Sequence, residues 1–364
     1  MIVEGAILDM DGPRPAYVRF RDGRITEVGQ PGTDGGRGRE HKIRGIVIPS
    51  LVNGHTHLGD AVSVREPPSG PVAELVRPPH GYKFRVLAEA TPGAKVRAMR
   101  SALLRMARDG VGAVVDFREE GRGGLDLLRT AALGVPLRVV ALGRPLARPV
   151  DRDELRDVLA AGDGIGLSSA RDETPETVRI VAETCRRVHK RYALHASEAF
   201  REDPDRYLRP KPDLLVHLAK ATSADLEAVR DAGVSVAVCP RSNALFGLPP
   251  NLGEMERVGL RVLLGTDNAM FHAPSIWREL EFAYVASRLC RRPVSADFLA
   301  RSVLVEPWRW LGNPDAARVA PGSPVSPVVL RLPPEDPAYQ VVTRTTEHLI
   351  VRGRPHVGRP TARR

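Results

Sequence analysis

The sequence predicts an α/β protein built on a (β/α)8 TIM barrel, with strand-rich segments at both chain ends. Eight short apolar segments alternate with helical patterns over about 265 of the 364 residues. A barrel of this kind needs about 250 residues. A doubly wound sheet is the alternative, but neither G-x-G-x-x-G after the first strand nor G-x-x-x-x-G-K-[ST] occurs in the sequence.

The individual elements follow from apolar patterning and turn residues. At the amino end, 2–8 is an apolar run, and 16–20 and 25–28 alternate on either side of the turn Asp22-Gly23. At the carboxyl end, 327–332 and 348–352 are short strands between proline-rich turns. The predicted barrel strands are 46–51, 111–117, 137–142, 164–168, 192–195, 214–217, 234–239 and 262–266. The clearest helical patterns between them are 94–108, 175–190 and 223–231, the last with Ser223 as its predicted cap.

The composition is that of an ordinary globular chain. With 42% hydrophobic and 27% charged residues, it is neither intrinsically disordered nor a membrane protein. No stretch approaches the roughly 18 consecutive apolar residues of a membrane span. The first residues lack the features of a signal peptide, so we expect a cytoplasmic protein. Three scattered cysteines form no Cys-x-x-Cys pair, which argues against a disulfide framework and a thiolate zinc site.

The net charge of +10 raises the hypothesis of a nucleic-acid partner. The distribution of charge weakens this hypothesis. The 48 arginines and six lysines are spread over the whole chain, without one basic run. We therefore interpret most of the basic excess as solvated surface and do not expect a nucleic acid as the partner.

Titratable side chains end four of the predicted strands, where a barrel places its chemistry. Burying each of them unpaired would cost several kcal/mol, on the order of 2 to 7, so core packing does not account for the set. His55 and His57, two positions apart on an extended segment, point the same way and can hold one metal ion. The set consists of His55 and His57 after strand one, His195 and Glu198 after strand five, His217 after strand six and Asp267 after strand eight.

Three imidazoles and one carboxylate in this set form a nitrogen-rich group of metal ligands. Such a group suits a catalytic Zn²⁺, with Fe²⁺ as the alternative. The remaining two side chains, Glu198 and His217, are then free for proton transfer. The predicted ligands are His55, His57, His195 and Asp267.

Four segments, in this order, carry a resemblance to a known family. They are Pro49-Ser50-Leu51-Val52-Asn53-Gly54-His55-Thr56-His57, His195-Ala196-Ser197-Glu198, Val238-Cys239-Pro240-Arg241-Ser242-Asn243 and Leu264-Gly265-Thr266-Asp267. The chain resembles the amidohydrolase superfamily, and within it the branch of cytosine deaminase-like and chlorohydrolase-like enzymes. The resemblance implies that the terminal strands join into one small β-sandwich, with 351–355 as its closing strand. The implied boundaries are 1–46 and 313–364 for the sandwich and 47–312 for the barrel.

The fourth predicted strand indicates the subtype. Binuclear members of the superfamily carry a carboxylated lysine at the end of this strand, where it bridges two metal ions. The corresponding segment here, 164–171, contains no lysine, and the nearest, Lys190, ends the next helix. We therefore expect one divalent metal ion.

The resemblance implies a deaminase that releases ammonia from a nucleobase, nucleoside or related N-heterocycle. Metal-bound hydroxide would add to the carbon of a C=N unit, with Asp267 and His217 taking the water proton. Glu198 would protonate the ring nitrogen before ammonia leaves. Amide or C–Cl hydrolysis at the same site is the enzymatic alternative, and a catalytically silent barrel scaffold is the non-enzymatic one.

Candidate substrate contacts come from the loops that follow the strands. The long loop 58–91 and the end of the second strand are rich in basic residues, so a substrate with a carboxylate or phosphate is one hypothesis, and solvated loop charge is the other. For His272 the alternative is a surface or structural role, and for Asn243 it is that of a turn residue. Whether the chain forms a homo-oligomer stays open. The candidate substrate residues are Lys83, Arg118, Asn243 and His272.

Overall fold

Two sheets organise the chain, one built from its ends and one from its middle. The computed structural model describes residues 1–33, 41–66, 68, 70–248, 251–324, 326–343 and 348–350. The strands are β1 (Ile2–Asp9), β2 (Gly12–Arg21), β3 (Arg24–Gly29), β4 (Lys42–Ile48), β5 (Leu51–His57), β6 (Val111–Arg118), β7 (Arg138–Gly143), β8 (Gly164–Leu167), β9 (Arg191–Ala196), β10 (Leu214–His217), β11 (Ser235–Val238), β12 (Val262–Leu264), β13 (Asp267–Asn268), β14 (Val328–Leu330) and β15 (His348–Ile350). The helices are α1 (Val72–Val76), α2 (Tyr82–Glu89), α3 (Pro92–Arg108), α4 (Gly121–Ala132), α5 (Arg152–Ala161), α6 (Pro175–Arg187), α7 (Pro204–Leu208), α8 (Ser223–Asp231), α9 (Pro240–Leu245), α10 (Leu252–Val258), α11 (Ile276–Ser287), α12 (Ala296–Leu304), α13 (Glu306–Trp310) and α14 (Pro337–Thr343).

The terminal sheet combines the two ends of the chain in the order β15-β14-β4-β1-β2-β3. Its strands β1 and β4 run parallel, and the other neighbours run antiparallel. Across the described residues the two ends form this one mixed sheet, so the predicted sandwich of two sheets is not confirmed, and the domain boundaries stay predictions. The predicted closing strand at 351–355 lies outside the described residues.

A helix interrupts the carboxyl end, which the sequence predicted as strands and turns only. Helix α14 lies between β14 and β15 in the chain. It buries Ala338, Val341 and Val342 on one face, at the spacing of three and four residues that a helix requires.

The second sheet closes into the predicted barrel. Neighbouring strands from β5 to β12 pair in parallel, in chain order. The eighth strand is interrupted: β12 pairs with β11, whereas β13 pairs with β5 and aligns Asp267 with Thr56 and Asn268 with His57. This second pairing joins the last strand to the first.

The first barrel strand lies further along the chain than predicted. Residues 46–51 were expected to form it, but Ile46 and Val47 pair with β1 and β14 in the terminal sheet. Pro49 has no N–H group to donate to a sheet and separates the two strands. The barrel strand is β5, so His55 and His57 form its carboxyl end rather than a loop behind it.

The barrel interior is filled by alternate residues of its strands, which include Val52, Val115 and Leu263. Trp308 of α13 joins this interior cluster, and its indole Nε1 donates to the Ser50 carbonyl over 2.9 Å. This bond fixes α13 at the amino end of the first strand. The opposite, carboxyl end of the barrel is therefore the end that carries open polar side chains.

One predicted helix cap differs by a residue. Helix α8 spans Ser223–Asp231 as expected, but Thr222 is its cap. The Thr222 hydroxyl accepts from the Asp225 N–H, and the Asp225 carboxylate accepts from the Thr222 N–H, which is a complete capping box. Ser223 is instead the first helical residue.

The helices of the described residues include none that is both long and apolar enough to cross a bilayer.

Candidate metal centre and its cavity

Five of the predicted side chains converge at the carboxyl end of the barrel. The ligand atoms of His55, His57 and Asp267 lie within 4.8 Å of one another, and so do those of His55, His195 and His217. All five residues are buried. His55 belongs to both groups, which places it at the centre of the cluster.

A hydrogen bond orients one of the imidazoles, and a close carboxylate contact orients another. His195 Nδ1 lies 3.0 Å from the Leu167 carbonyl, which can only accept, so the proton is on Nδ1 and the lone pair on Nε2. His57 Nδ1 lies 2.8 Å from Glu119 Oε1, which favours the same tautomer. Both rings therefore offer Nε2 to the cluster, as metal-binding histidines commonly do.

His55 indicates most directly that the cluster fits a cation. Both of its ring nitrogens are enclosed and lack a hydrogen-bond partner in the described part of the chain. Its Nε2 lies 3.3 Å from Asp267 Oδ1. Burial lowers the pKa of His55 and of His195, and burial together with the charge of Lys83 lowers that of His57 to about 3. The imidazoles are thus neutral, the form that binds a metal ion.

Asp267 is held in place by its backbone and by a serine. Its φ is 54°, a left-handed value that costs a non-glycine residue free energy and is retained mainly where the surroundings require it. Gly265 makes room for this turn, because a β-carbon there would lie 2.7 Å from His55 Cβ. The Ser242 hydroxyl donates to Asp267 Oδ2 over 2.5 Å, so Oδ1 remains directed at His55 and His57.

The two predicted proton carriers lie side by side. His217 Nε2 is 3.4 Å from Glu198 Oε1. On the other side of the ring, the amide of Asn243 contacts His217 Nδ1, with Nδ2 at 3.1 Å and Oδ1 at 3.4 Å. Burial raises the pKa of Glu198, which favours a carboxyl group that can still donate a proton.

A buried network of charges supports the cluster from behind. Glu119 contacts His57, and its two oxygens also lie 2.7 Å from Lys83 Nζ and 2.5 Å from an Arg118 terminal nitrogen. Lys83 Nζ in turn lies 3.0 Å from Asp60 Oδ2. Burial alone would raise the pKa of Glu119, but Lys83, His57 and Arg118 together outweigh burial and hold that pKa well below its usual range. The ionised Glu119 can therefore fix the orientation of His57.

The end of the fourth barrel strand carries no lysine. Strand β8 is followed by Ser168, and Lys190 bonds to the carbonyls of Leu159 and Gly162 in the segment before that strand. Lys83 does line the cavity, but its ammonium is paired with the two carboxylates of Asp60 and Glu119.

The four candidate substrate residues have different positions. Lys83 lines the cavity in front of the cluster, whereas Arg118, Asn243 and His272 are not part of its described wall. Arg118 is 1% exposed and faces Glu119, and Asn243 supports His217. Burial, followed by the charge of Arg241, lowers the pKa of His272 to about 4.

Sequence reasoning missed several residues that shape the site. Glu119 directly follows the second barrel strand and Asp60 lies three residues beyond the first, but a single carboxylate at such a position does not reveal which side chain it contacts. Ser242 carries no metal-ligand signal because it is a serine. Their position after the second, first and seventh barrel strands was the one available indication. The cavity wall also includes Arg77, Arg144, Ser168, Ser169, Arg171, Asp172, Phe200 and Glu202.

Comparison with known proteins gives matches that agree with one another. The family model of the amidohydrolase family matches residues 46–206. A putative aminohydrolase of Methanothermobacter thermautotrophicus is 32% identical over an alignment of 371 positions, which covers 94% of each chain.

Two solved structures share the fold. A zinc-bound adenosine deaminase from Xanthomonas campestris superposes with a TM-score of 0.76 at 18% identity, covering 97% of this chain and 92% of its own. Atrazine chlorohydrolase from Arthrobacter aurescens, complexed with zinc, gives a TM-score of 0.75 at 18% identity, covering 98% and 97%. At this identity the likeness bears on the fold alone.

Proposed function

The chain belongs to the amidohydrolase superfamily, and from this premise we propose that it is a metal-dependent hydrolase that deaminates an N-heterocycle. The substrate class is a nucleobase, nucleoside or related ring, and the product is ammonia. The observation that carries the proposal is the convergence of three neutral imidazoles and Asp267 beside the pair Glu198 and His217.

His55, His57, His195 and Asp267 would hold one divalent ion, with Zn²⁺ as the expected metal and Fe²⁺ as the alternative. Neutral imidazoles and an ionised carboxylate fit either ion. When bound, the ion would supply Lewis-acid activation of a water molecule. The proposal of a single ion is supported by the pairing of Lys83 with two carboxylates and by the position of Lys190 away from the cluster.

The chain's own residues would move the protons. Asp267 Oδ1 is the free carboxylate oxygen of the cluster and would accept the proton of the attacking water, assisted by His217. Glu198, with its raised pKa, would donate a proton to the ring nitrogen beside the attacked carbon. Its contact with His217 gives the two groups a path by which a proton reaches the leaving amine.

A screen for ammonia release tests the proposed reaction. Purified protein with a measured metal content would be incubated with purines, pyrimidines, pterins and their nucleosides and nucleotides. We expect about one ion per chain and ammonia from at least one class. Two ions per chain would contradict the mononuclear site, and chloride or carboxylate release without ammonia would favour the alternative hydrolysis.

Glu198→Gln tests the assigned proton donor. Because general acid catalysis contributes about 10²- to 10⁴-fold, we expect a loss of kcat in this range with unchanged metal content. Glu176→Gln, on the exposed face of α6, is the matched control and should retain wild-type kcat. A parallel loss of metal and activity in Glu198→Gln would instead make Glu198 a structural residue.

A further inference from the structure

An unpaired arginine is buried in the wall of the cavity beside the histidine cluster. Arg144 directly follows β7, and its backbone N–H donates to the Arg118 carbonyl over 2.9 Å. Its Nε donates to the Gly166 carbonyl over 3.4 Å, and the residue is only 7% exposed. No carboxylate of the described residues lies within 4.0 Å of this guanidinium. Buried cations ordinarily have an anionic partner, so this one lacks the group that would compensate its charge.

The neighbouring carboxylates are already engaged elsewhere. Arg77 Nε lies 2.8 Å from Asp172 Oδ1, and a terminal nitrogen of Arg148 lies 3.2 Å from Glu173 Oε1. Lys83, the other deep cation, is paired with two carboxylates. Arg144 therefore has no carboxylate in direct contact among the described residues, and the charges of Glu119, Asp172 and Glu173 act on it only from beyond ion-pair distance.

Hydroxyl donors and a second cation lie on the same wall, after strand β8. Ser168 Oγ is enclosed and has no hydrogen-bond partner in the described structure. Ser169 Oγ accepts from the backbone N–H groups of Arg171 and Asp172, so its own proton stays available. Arg171 lies 5.1 Å above the Phe200 ring, and no described carboxylate lies within 4.0 Å of its guanidinium. Two guanidinium groups and two hydroxyls thus lie together on a wall that also carries the carboxylates of Asp172, Glu198 and Glu202.

We propose that the substrate carries an anionic oxygen group, a carboxylate or a phosphate ester, which binds to Arg144 with Ser168, Ser169 and Arg171. This inference rests on the proposed function, because it places the reacting ring at the histidine cluster and the anion at the ends of β7 and β8. Arginine binds both oxyanions through two parallel hydrogen bonds, whereas a neutral heterocycle would leave the guanidinium unpaired. The site thereby selects acidic members of the heterocycle class.

Anion binding can be measured without turnover. Inorganic phosphate and acetate would be titrated into the metal-loaded protein by calorimetry. The anion that binds more tightly identifies whether the substrate group is a phosphate or a carboxylate. Arg144→Gln should weaken that binding about 10- to 100-fold, the usual effect of losing hydrogen bonds to a charged group. Arg122→Gln, an exposed arginine of α4, removes the same charge outside the cavity and should bind like wild type. Equal binding by Arg144→Gln and wild type, or no binding of either anion by wild type up to tens of millimolar, would overturn the inference.

Kinetics with matched substrates separate this inference from the proposed reaction. Heterocycles would be compared with and without a carboxylate or phosphate, and Arg144→Gln should raise KM only for the anionic member of each pair. Faster turnover of the neutral members, unaffected by Arg144→Gln, would refute the anion site and leave deamination standing. No ammonia from any compound would refute deamination, and the phosphate and acetate titrations would still decide the anion site. If circular dichroism shows that Arg144→Gln does not fold, Arg144→Lys and Arg171→Gln replace it, and wild-type anion affinity in both would overturn the inference.

Discussion

At the residue scale, Glu119 is the side chain on which the orientation of the cluster depends most. It contacts His57 directly and is itself held by Lys83 and Arg118. Partners of this kind typically change metal affinity 10- to 100-fold when they are removed. We expect Glu119→Gln to weaken metal binding by about this factor, measured by competition with a chromogenic chelator.

The adjacent residue supplies a matched control for this measurement. Glu120→Gln makes the same substitution one residue later, but the Glu120 carboxylate pairs with Lys95 and does not contact His57. The metal affinity of Glu120→Gln should therefore equal that of wild type. If both variants bind metal as tightly as wild type, Glu119 has no part in orienting His57.

At the scale of the element, we expect the capping box of helix α8 to stabilise the fold. Thr222→Ala removes the acceptor for the Asp225 N–H, so the free energy of unfolding should fall by about 1 kcal/mol. Ser223→Ala, one residue later at the first helical position, should change it by less than about 0.5 kcal/mol. Urea unfolding of both variants measures the difference, and a larger loss in Ser223→Ala would reassign the cap.

At the scale of the whole molecule, the metal ion should contribute to stability as well as to chemistry. The cluster joins residues from β5, β9, β10 and β13, and the unfolded chain does not assemble them. A ligand at 100 times its Kd stabilises the native state by about 2.7 kcal/mol. Chelation should therefore lower Tm by several degrees, and added Zn²⁺ should restore it, as followed by differential scanning calorimetry. The same cycle in Asp267→Asn should give a clearly smaller shift, and an equal shift would remove Asp267 from the ligands.

At the scale of the whole molecule, part of the basic surface is neutralised locally by ion pairs within helices. Several exposed arginines pair with a carboxylate one turn away on their own helix, as Arg122 does with Asp126 and Arg179 with Glu183. Such pairs contribute only a few tenths of a kcal/mol, about 0.3 to 0.5 each. The basic residues that matter for the site are instead the few that line the cavity.

Much of the barrel and its cluster was predictable because the signals are local in the sequence. His55 and His57 lie in one strand, and Asp267 directly follows another, so parallel pairing alone brings them to one edge. The sequence could not predict that Arg144 lacks an ion-pair partner or that Glu119 orients His57, because both depend on which distant side chains the folded loops supply. The misplaced first strand has a similar reason: 46–48 and 51–52 are apolar stretches separated by only two residues, and only tertiary pairing assigns them to different sheets.

The interrupted eighth strand means that the candidate metal site also joins distant parts of the chain. Asn53 and Thr266, which hydrogen-bond across the closing strands beside the ligands, are 213 positions apart. An ion bound by both His55 and Asp267 would thus cross-link the chain across a loop of about that length. Closing so long a loop removes several kcal/mol of chain entropy from the unfolded state, about 5 by the relation used for disulfides. The ion of the proposed reaction would then also stabilise the fold, as a long-range disulfide does.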